Sequence, residues 1–286
     1  MRVAIQNPCS ATACKRVEPK EIAIPMGLRQ SALILLAISF FTVRLGLAEP
    51  IPVKHVEGAI HGFMLLRTEE GKAIAIGDLD QTVEGARVTT NLKFRFEDGS
   101  IHEETTVFSQ RGVFRVLSDH LLEKGPAFKK PIEVWIDCST GQVKVRDMED
   151  GKDKVTTHHV EIPVDLANGI VPMLIQNFPD DAEHTVTILA ATPKPRIVKF
   201  VITPESEDTF SIAGTKYKAK QYTAKVQIGG VAGAVAPVVG QQPPDSHFWI
   251  FKGAVPIFLK SIGPISAGTP VWQIELASPT WGRDQK

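Results

Sequence analysis

The stretch "ARVTTNLKFRFEDGSIHEETTVFSQ" (86–110) alternates apolar and polar side chains on both sides of a short turn. Before the turn, one face carries Val88, Leu92, Phe94 and Phe96 together with Thr90, and the intervening residues are polar or charged. A period of two residues is typical of a half-buried β-strand. "DGS" (98–100) is a hairpin signal, so the residues after it are expected to return as the next strand.

The same alternation recurs along the chain from Glu49 onward. The runs include "PIEVWIDC", "QVKVRDM", "HTVTILAAT", "RIVKFVIT", "KYKAKQYTAKVQI", "HFWIFKG" and "PVWQIELAS". Turn signals separate them about every eight to twelve residues, which favours an antiparallel sheet. We therefore predict a mostly β protein with a single domain over 49–286. Two domains with a boundary near residue 165 are the alternative.

One segment, "PVDLANGIVPMLIQNF" (163–178), departs from this pattern. Its apolar residues fall at helical intervals: Leu166, Ile170, Met173, Leu174 and Phe178. Asp165 is a suitable N-cap, whereas Gly169 and Pro172 weaken a continuous helix and allow two short turns instead. We predict a mid-chain apolar helix that lies across the sheet and covers its apolar face.

The N-terminus has the pattern of a secretory signal. In "MGLRQSALILLAISFFTVRLGLAEP" (26–50), Arg29 precedes an apolar core over 32–43, and small residues at Gly46 and Ala48 suit a signal peptidase. We predict a signal peptide over 1–48, with an over-long start before Met26. An N-terminal anchor helix is the alternative, because Arg44 is unusual near a cleavage site. The apolar core is shorter than the ~20 residues of an ordinary membrane span.

Composition narrows the classes of function. Apolar residues make up 43% of the 286 residues and charged residues 22%, as in ordinary globular proteins. Without the six basic and two acidic residues of 1–48, the 32 basic and 32 acidic residues become 26 and 30, a net charge of −4. A nucleic-acid-binding protein would show a basic surplus. Only Cys138 remains, so no internal disulfide is expected in the mature chain.

A Gly-rich apolar stretch, "GGVAGAVAPVVGQQPPDSHFWI" (229–250), precedes a strand-like aromatic run. It lacks the Lys and Ser/Thr of a phosphate-binding loop, and no strand and helix flank a GxGxxG pattern. Two interpretations remain open. The stretch is a long connection whose glycines allow close backbone approach, or it is an apolar lip at the mouth of a groove.

Residues that could carry catalysis or bind metal are scattered. His158 and His159 are adjacent, so on a strand their side chains point to opposite faces and cannot both coordinate one metal ion. A site assembled from His102, Glu104 and another histidine is not supported by any spacing motif. Glu103 and Glu104 diverge in the same way, and the chain has no GxSxG motif. We expect no metal, no cofactor and no enzymatic activity.

Two resemblances follow from these residues. A secreted chain of strands with one apolar helix and a Trp-bearing last strand ("VWQIELASPTW") resembles periplasmic half-barrel proteins, including the outer-membrane lipoprotein carriers. The strings "FRFEDGSIHEETTVFSQ", "PVDLANGI" and "TPKPRIVKF" resemble a family of uncharacterised secreted bacterial proteins of acidobacterial type. The first resemblance implies a curved antiparallel sheet, as a half-barrel or open barrel, with the helix as a lid over an apolar groove.

The leading hypothesis is an exported, periplasmic or secreted, non-enzymatic protein that binds a lipid or acyl chain between sheet and helix. Its expected lining residues are Phe94, Phe96, Leu166, Ile170, Leu174, Val231, Val235 and Trp249. The alternatives are a cell-envelope structural or interaction module without a cavity, and an envelope hydrolase. Partners are then a lipid, an envelope protein or a membrane surface, and not nucleic acid.

Overall fold

The computed structural model describes residues 50–149, 152–179, 181–212, 215–227 and 242–277. All of them fall in one compact unit, Ala48–Lys286. The described residues form fourteen strands and one helix, α1 (Val171–Asn177). The strands are β1 (Ile60–Thr68), β2 (Ala73–Glu84), β3 (Arg87–Phe96), β4 (Ile101–Ser109), β5 (Arg115–Lys124), β6 (Ile132–Asp137), β7 (Gln142–Glu149), β8 (Lys152–His159), β9 (His184–Ala190), β10 (Arg196–Ile212), β11 (Thr215–Gln227), β12 (Ser246–Lys252), β13 (Pro256–Pro264) and β14 (Val271–Leu276).

These strands build one antiparallel sheet in the order β8-β7-β6-β5-β4-β3-β2-β1-β14-β13-β12-β11-β10-β9. Each half of the chain is a meander, and the halves join where β1 pairs with β14, with Met64 opposite Leu276. The sheet is curved like a half-barrel and is not closed, with β8 and β9 as its edges. The predicted mostly β class and curved antiparallel sheet are confirmed.

The opening hairpin forms as its alternation predicts. β3 and β4 pair along their length, with Phe94 opposite His102, and Phe94 is fully buried on the inner face. At the turn, a side-chain oxygen of Asp98 accepts a hydrogen bond of 2.8 Å from the backbone N–H of Ser100. Gly99 has φ +83°, a backbone conformation that suits glycine.

The helix is shorter than the predicted 163–178, and Asp165 is not its N-cap. α1 begins after Ile170, which makes no side-chain capping bond, because Gly169 at φ +67° interrupts the helical backbone. Asp165 instead accepts a 2.7 Å hydrogen bond from Oγ1 of Thr187 on β9, and Leu166 forms a parallel bridge with the same residue. The first part of the predicted helix is therefore two turns, closed by the bonds from Leu166 N–H to Pro163 O and from Ile170 N–H to Ala167 O, with one bridge to the edge strand between them.

The helix covers one part of the inner face of the sheet, as predicted. Its buried residues, with Leu166 and Ile170, share a core with Val88, Phe108 and Ile250 of the sheet. A second core lies around Phe94, Phe96, Phe128 and Trp272. No helix in the described part of the chain is long and apolar enough to cross a membrane. The predicted signal peptide, 1–48, lies outside the described residues and stays a prediction.

Candidate functional site

The structure places five of the predicted lining residues inside the two closed cores. Phe94 and Phe96 are 0% and 8% exposed and belong to the core around Trp272. Leu166, Ile170 and Leu174 are at most 3% exposed and belong to the core under α1. In this conformation they contact protein atoms and line no open groove.

The other three predicted lining residues lie elsewhere. Trp249 alternates with the core residues Phe248 and Ile250, so it points to the outer face of the sheet. Its indole N–H donates a 2.6 Å hydrogen bond to Asp208, and the ammonium of Lys260 lies 4.1 Å from its ring centre. The predicted groove position of Trp249 therefore does not hold in this structure. Val231 and Val235 lie outside the described residues.

A partly exposed row of side chains lies on the inner face, beside the core around Trp272. Register pairs Leu79 of β2 with Leu92 of β3, and Leu92 with Glu104 of β4. All three side chains are partly exposed, whereas their neighbours on the same strands and face, such as Gln81 and Phe94, are 2% and 0% exposed. We call these three residues, Leu79, Leu92 and Glu104, the inner groove.

One end of the inner groove is open and apolar. Ile60 pairs with Gln81 and Leu276 pairs with Met64, so both side chains point to the inner face. They are 45% and 39% exposed, whereas Met64 and Leu66 on the same face of β1 are 5% and 0% exposed. Gly62, opposite Leu79, leaves the space above β1 without a side chain. An apolar chain that enters over β1 would therefore meet Leu79 first and Leu92 next.

The other end of the inner groove carries a cluster of carboxylates. Asp119 and Glu123 of β5 are 4% and 3% exposed and lie close enough to Glu104 to raise its pKa. Burial is the larger cause and raises the pKa of Glu104 well above its usual 4.5. Burial also raises the pKa of Asp119 from 3.8 to about 6. We call Glu104, Asp119 and Glu123 the carboxylate cluster.

Two of these carboxylates have fixed partners. Oγ1 of Thr106 donates a 2.6 Å hydrogen bond to Asp119. Nδ1 of His102, which is 2% exposed, lies 3.0 Å from a carboxylate oxygen of Glu123. Glu104 alone in the cluster is partly exposed. A substrate in the inner groove would thus reach one carboxylate, whereas glycoside hydrolysis needs two that flank the bond.

The segment before α1 closes the groove above the cluster. A Cβ added to Gly169 would lie 1.8 Å from Oγ1 of Thr106, so the backbone touches this side chain directly. Only glycine combines that approach with φ +67° at low cost. The contact fixes the height of the helix segment above the sheet. It also leaves the Leu79–Leu92 part of the inner groove uncovered.

The residues considered for metal binding or nucleophilic catalysis do not assemble. Within the described ranges, no group of three His, Cys, Asp or Glu side chains could hold a metal ion. His158 and His159 lie on the edge strand β8, and Nε2 of His158 lies 3.1 Å from Oγ1 of Thr156. Cys138 is half-buried, and its surroundings raise the pKa of its thiol to about 11.

Sequence reasoning missed the carboxylate cluster. Glu103 and Glu104 do diverge, as predicted: Glu103 forms a 2.7 Å ion pair with Lys93, and Glu104 points inward. The sequence did contain one indication of the cluster. Alternation along β4 puts His102, Glu104 and Thr106 on the same face of the strand as the apolar Phe108. Whether these residues lie beside the carboxylates of β5 depends on the pairing register of the two strands, which the sequence pattern does not determine.

Comparison with known proteins finds only distant structural neighbours. No family model and no curated protein matches the chain. One matching solved structure is a beta-barrel-like protein of the domain of unknown function DUF1849 from Brucella abortus, 13% identical over 77% of this chain and 94% of that chain, with a TM-score of 0.41. Another is the hypothetical lipoprotein YmcC from Escherichia coli, 12% identical over 77% and 85%, with a TM-score of 0.32. Membership of an acidobacterial family stays a prediction.

Proposed function

We propose that this protein is an exported, non-enzymatic binder of an apolar chain, and that the chain lies in the inner groove. The observation that supports the proposal is the partial exposure of Leu79 and Leu92 at the margin of the core around Trp272. Export is supported by the signal-like segment 26–48. The sequence-based hypothesis placed the ligand beneath α1. The present proposal places it along the inner groove instead.

The dimensions and energetics suit a single hydrocarbon chain. The row from Gly62 to Leu121 crosses β1 to β5, and four strand spacings of about 4.8 Å give roughly 19 Å. Each methylene removed from water contributes about 0.8 kcal/mol, so about eight methylenes contribute ~6 kcal/mol before the entropy of association.

The carboxylate cluster orients the ligand. An anionic head placed beside Glu104 would lie in a poorly solvated site next to the carboxylates of Asp119 and Glu123, which is unfavourable. The apolar tail therefore points toward Glu104, and the head remains near Ile60 and Leu276 at the open end. A lipid or fatty acyl chain can bind in this direction with its polar group in water.

The test begins with the protein as purified. Native mass spectrometry and solvent extraction are expected to show a co-purified apolar molecule, and the stripped protein is expected to take up a fluorescent fatty acid. If neither occurs, the groove is not a ligand site. The cell-envelope interaction module then becomes the better hypothesis, and capture of a partner from envelope extract would test it.

A matched pair of variants locates the site. Leu79→Trp fills the inner groove, whereas Ile76→Trp enlarges a side chain of the same strand that is 63% exposed on the outer face. We expect Leu79→Trp to weaken uptake of the fluorescent fatty acid at least tenfold and Ile76→Trp to leave it unchanged. Equal effects of the two substitutions would place the ligand elsewhere.

A further inference from the structure

A second concave site lies at the carboxyl end of α1, away from the inner groove. It is a cleft of ≈ 230 Å³ whose walls include the basic residues Lys54, His55 and Lys252, together with Gln176 and Phe178. None of the described residues that line this cleft is a carboxylate. We call it the basic cleft. Its chemistry does not depend on the proposed binding of an apolar chain.

The basic side of the cleft is held in place by α1. The backbone N–H groups of Lys54 and His55 each donate a 2.8 Å hydrogen bond to Oδ1 of Asn177. Asn177 is 1% exposed, and its Nδ2 donates a 2.8 Å bond to the carbonyl of Met173. One buried amide thus ties the backbone of Lys54 and His55 to the helix end. The backbone of this wall is held in place before any ligand arrives, which lowers the cost of binding.

Lys252 approaches from the sheet. Its Nζ donates a 3.2 Å hydrogen bond to the carbonyl of Ile175 at the end of the helix. The carbonyls at a helix C-terminus carry partial negative charge, so this contact fixes one ammonium at the wall of the cleft. Lys54 and His55 lie on another wall. The side chains of Lys54, His55 and Lys252, which come from two separate parts of the chain, therefore all line the basic cleft.

The local field favours an anion. His184 stacks on Phe178, with ring centres 4.2 Å apart, and its Nε2 is buried without a hydrogen-bond partner among the described residues. Burial lowers the pKa of His184, and the positive charge of Lys54 lowers it further. The positive charge of Lys54, which is the smaller of these two causes, would also attract an anion into the cleft.

We propose that the basic cleft binds a small oxyanion of the phosphate type. Lys54, His55 and Lys252 supply charge-assisted donors, and Gln176 supplies an amide. A volume of ≈ 230 Å³ also leaves room for a substituent beside Phe178. Free phosphate, a phosphate ester and a phospholipid head group share this chemistry, so the experiment must separate these sources.

The experiment titrates the purified protein with inorganic phosphate and follows the imidazole resonances of His55 and His184 by NMR. Saturable shifts of these two histidines are expected, with smaller or no shifts of His158 on the distant edge strand β8. Phenyl phosphate and vesicles of phosphatidylglycerol in phosphatidylcholine, with pure phosphatidylcholine as reference, form the further arms. Tightest binding of the ester or of the anionic vesicle identifies the source.

Substitutions complete the test. Lys54→Gln and His55→Gln each remove one donor at positions that are not buried, and each is expected to weaken phosphate binding about tenfold. Lys129→Gln removes an exposed charge elsewhere and is expected to change binding less than twofold. The proposal is overturned if no probe binds saturably, or if Lys129→Gln weakens binding as much as Lys54→Gln does.

Discussion

Replacing Gly169 with alanine is expected to destabilise the protein strongly, because this glycine meets two demands at once. Its φ of +67° is unfavourable for a residue with a Cβ, at a cost of about 1–2 kcal/mol. The added Cβ would also lie 1.8 Å from Oγ1 and 2.8 Å from Cβ of Thr106. Thr106 cannot move aside freely, because its hydroxyl donates to the buried carboxylate of Asp119.

The magnitude follows from these contacts. Relief of the clash by moving the helix segment costs about 1–3 kcal/mol, as overpacking of a core does. Relief by rotating Thr106 leaves Asp119 without its donor, at a cost of about 1–3 kcal/mol. Either route gives a total of roughly 2–5 kcal/mol. Gly85→Ala is the matched control, because Gly85 has φ +62° and nothing within 4 Å of its added Cβ.

Urea unfolding followed by far-UV circular dichroism measures the difference. Gly169→Ala is expected to lose about 1–3 kcal/mol more than Gly85→Ala, because only at Gly169 does the clash add to the cost of the positive φ. In a Thr106→Ala background the cost of Gly169→Ala is expected to shrink, since the closest atom is gone. Equal losses for the two glycine variants would mean that the backbone does not rest on Thr106. The placement of the helix segment above the sheet would then be wrong.

Three further predictions concern individual residues. Asp119→Asn is expected to stabilise the protein by up to about 3 kcal/mol at pH 7 and hardly at pH 4. Burial raises the pKa of Asp119 from 3.8 to about 6 in the folded protein. The stability that the protonated side chain contributes is therefore lost as the pH rises from about 4 to 6. If thermal melts of the variant depend on pH in this range as those of the unsubstituted protein do, the prediction is wrong. Cys138 is expected to react slowly with a thiol reagent at pH 7.5 in the folded protein and rapidly in urea, because burial raises the pKa of its thiol; rapid labelling of the folded protein would refute it. Trp249→Phe is expected to leave fatty-acid uptake unchanged, because Trp249 bonds Asp208 on the outer face, and loss of uptake in a binding titration would count against that assignment.

Local patterns in the sequence predict a strand well where one of its faces is turned toward the core. Val88 and Phe94 follow the alternation of β3, and both are fully buried. The same local information does not predict which strands pair. The junction between β1 and β14 joins residues more than two hundred positions apart, as with Arg67 and Glu275, which form a 2.5 Å ion pair.

The helix shows where periodicity misleads. Leu166 and Ile170 are buried, as a helix from 163 to 178 would require, but Leu166 is buried by the edge strand β9. Apolar spacing cannot distinguish turns that bridge to a sheet from the first turn of a helix. Gly169 was the available signal, because its positive φ interrupts a helical backbone just before α1.

The candidate site was only partly predictable, for a similar reason. Apolar residues on β3 were expected to face a groove, yet Phe94 and Phe96 are buried and Leu92 is partly exposed. The difference depends on which other side chains cover each position. Phe96, for example, packs against Phe128, and their ring centres lie 5.4 Å apart. Asp119 joins Glu104 because of a register shift between Val107 and Phe108, and composition says nothing about such a shift.

The most direct test of the central claim is to locate a bound chain by crystallography. Crystals of the protein grown with a fatty acid brominated near its tail end would reveal the bromine by anomalous diffraction. We predict a bromine peak on the inner face between Leu92 and Glu104, with the carboxylate of the ligand toward Ile60 and Leu276. A peak only on the outer face beside Ile76, or a groove that excludes the ligand at saturating concentration, would contradict it.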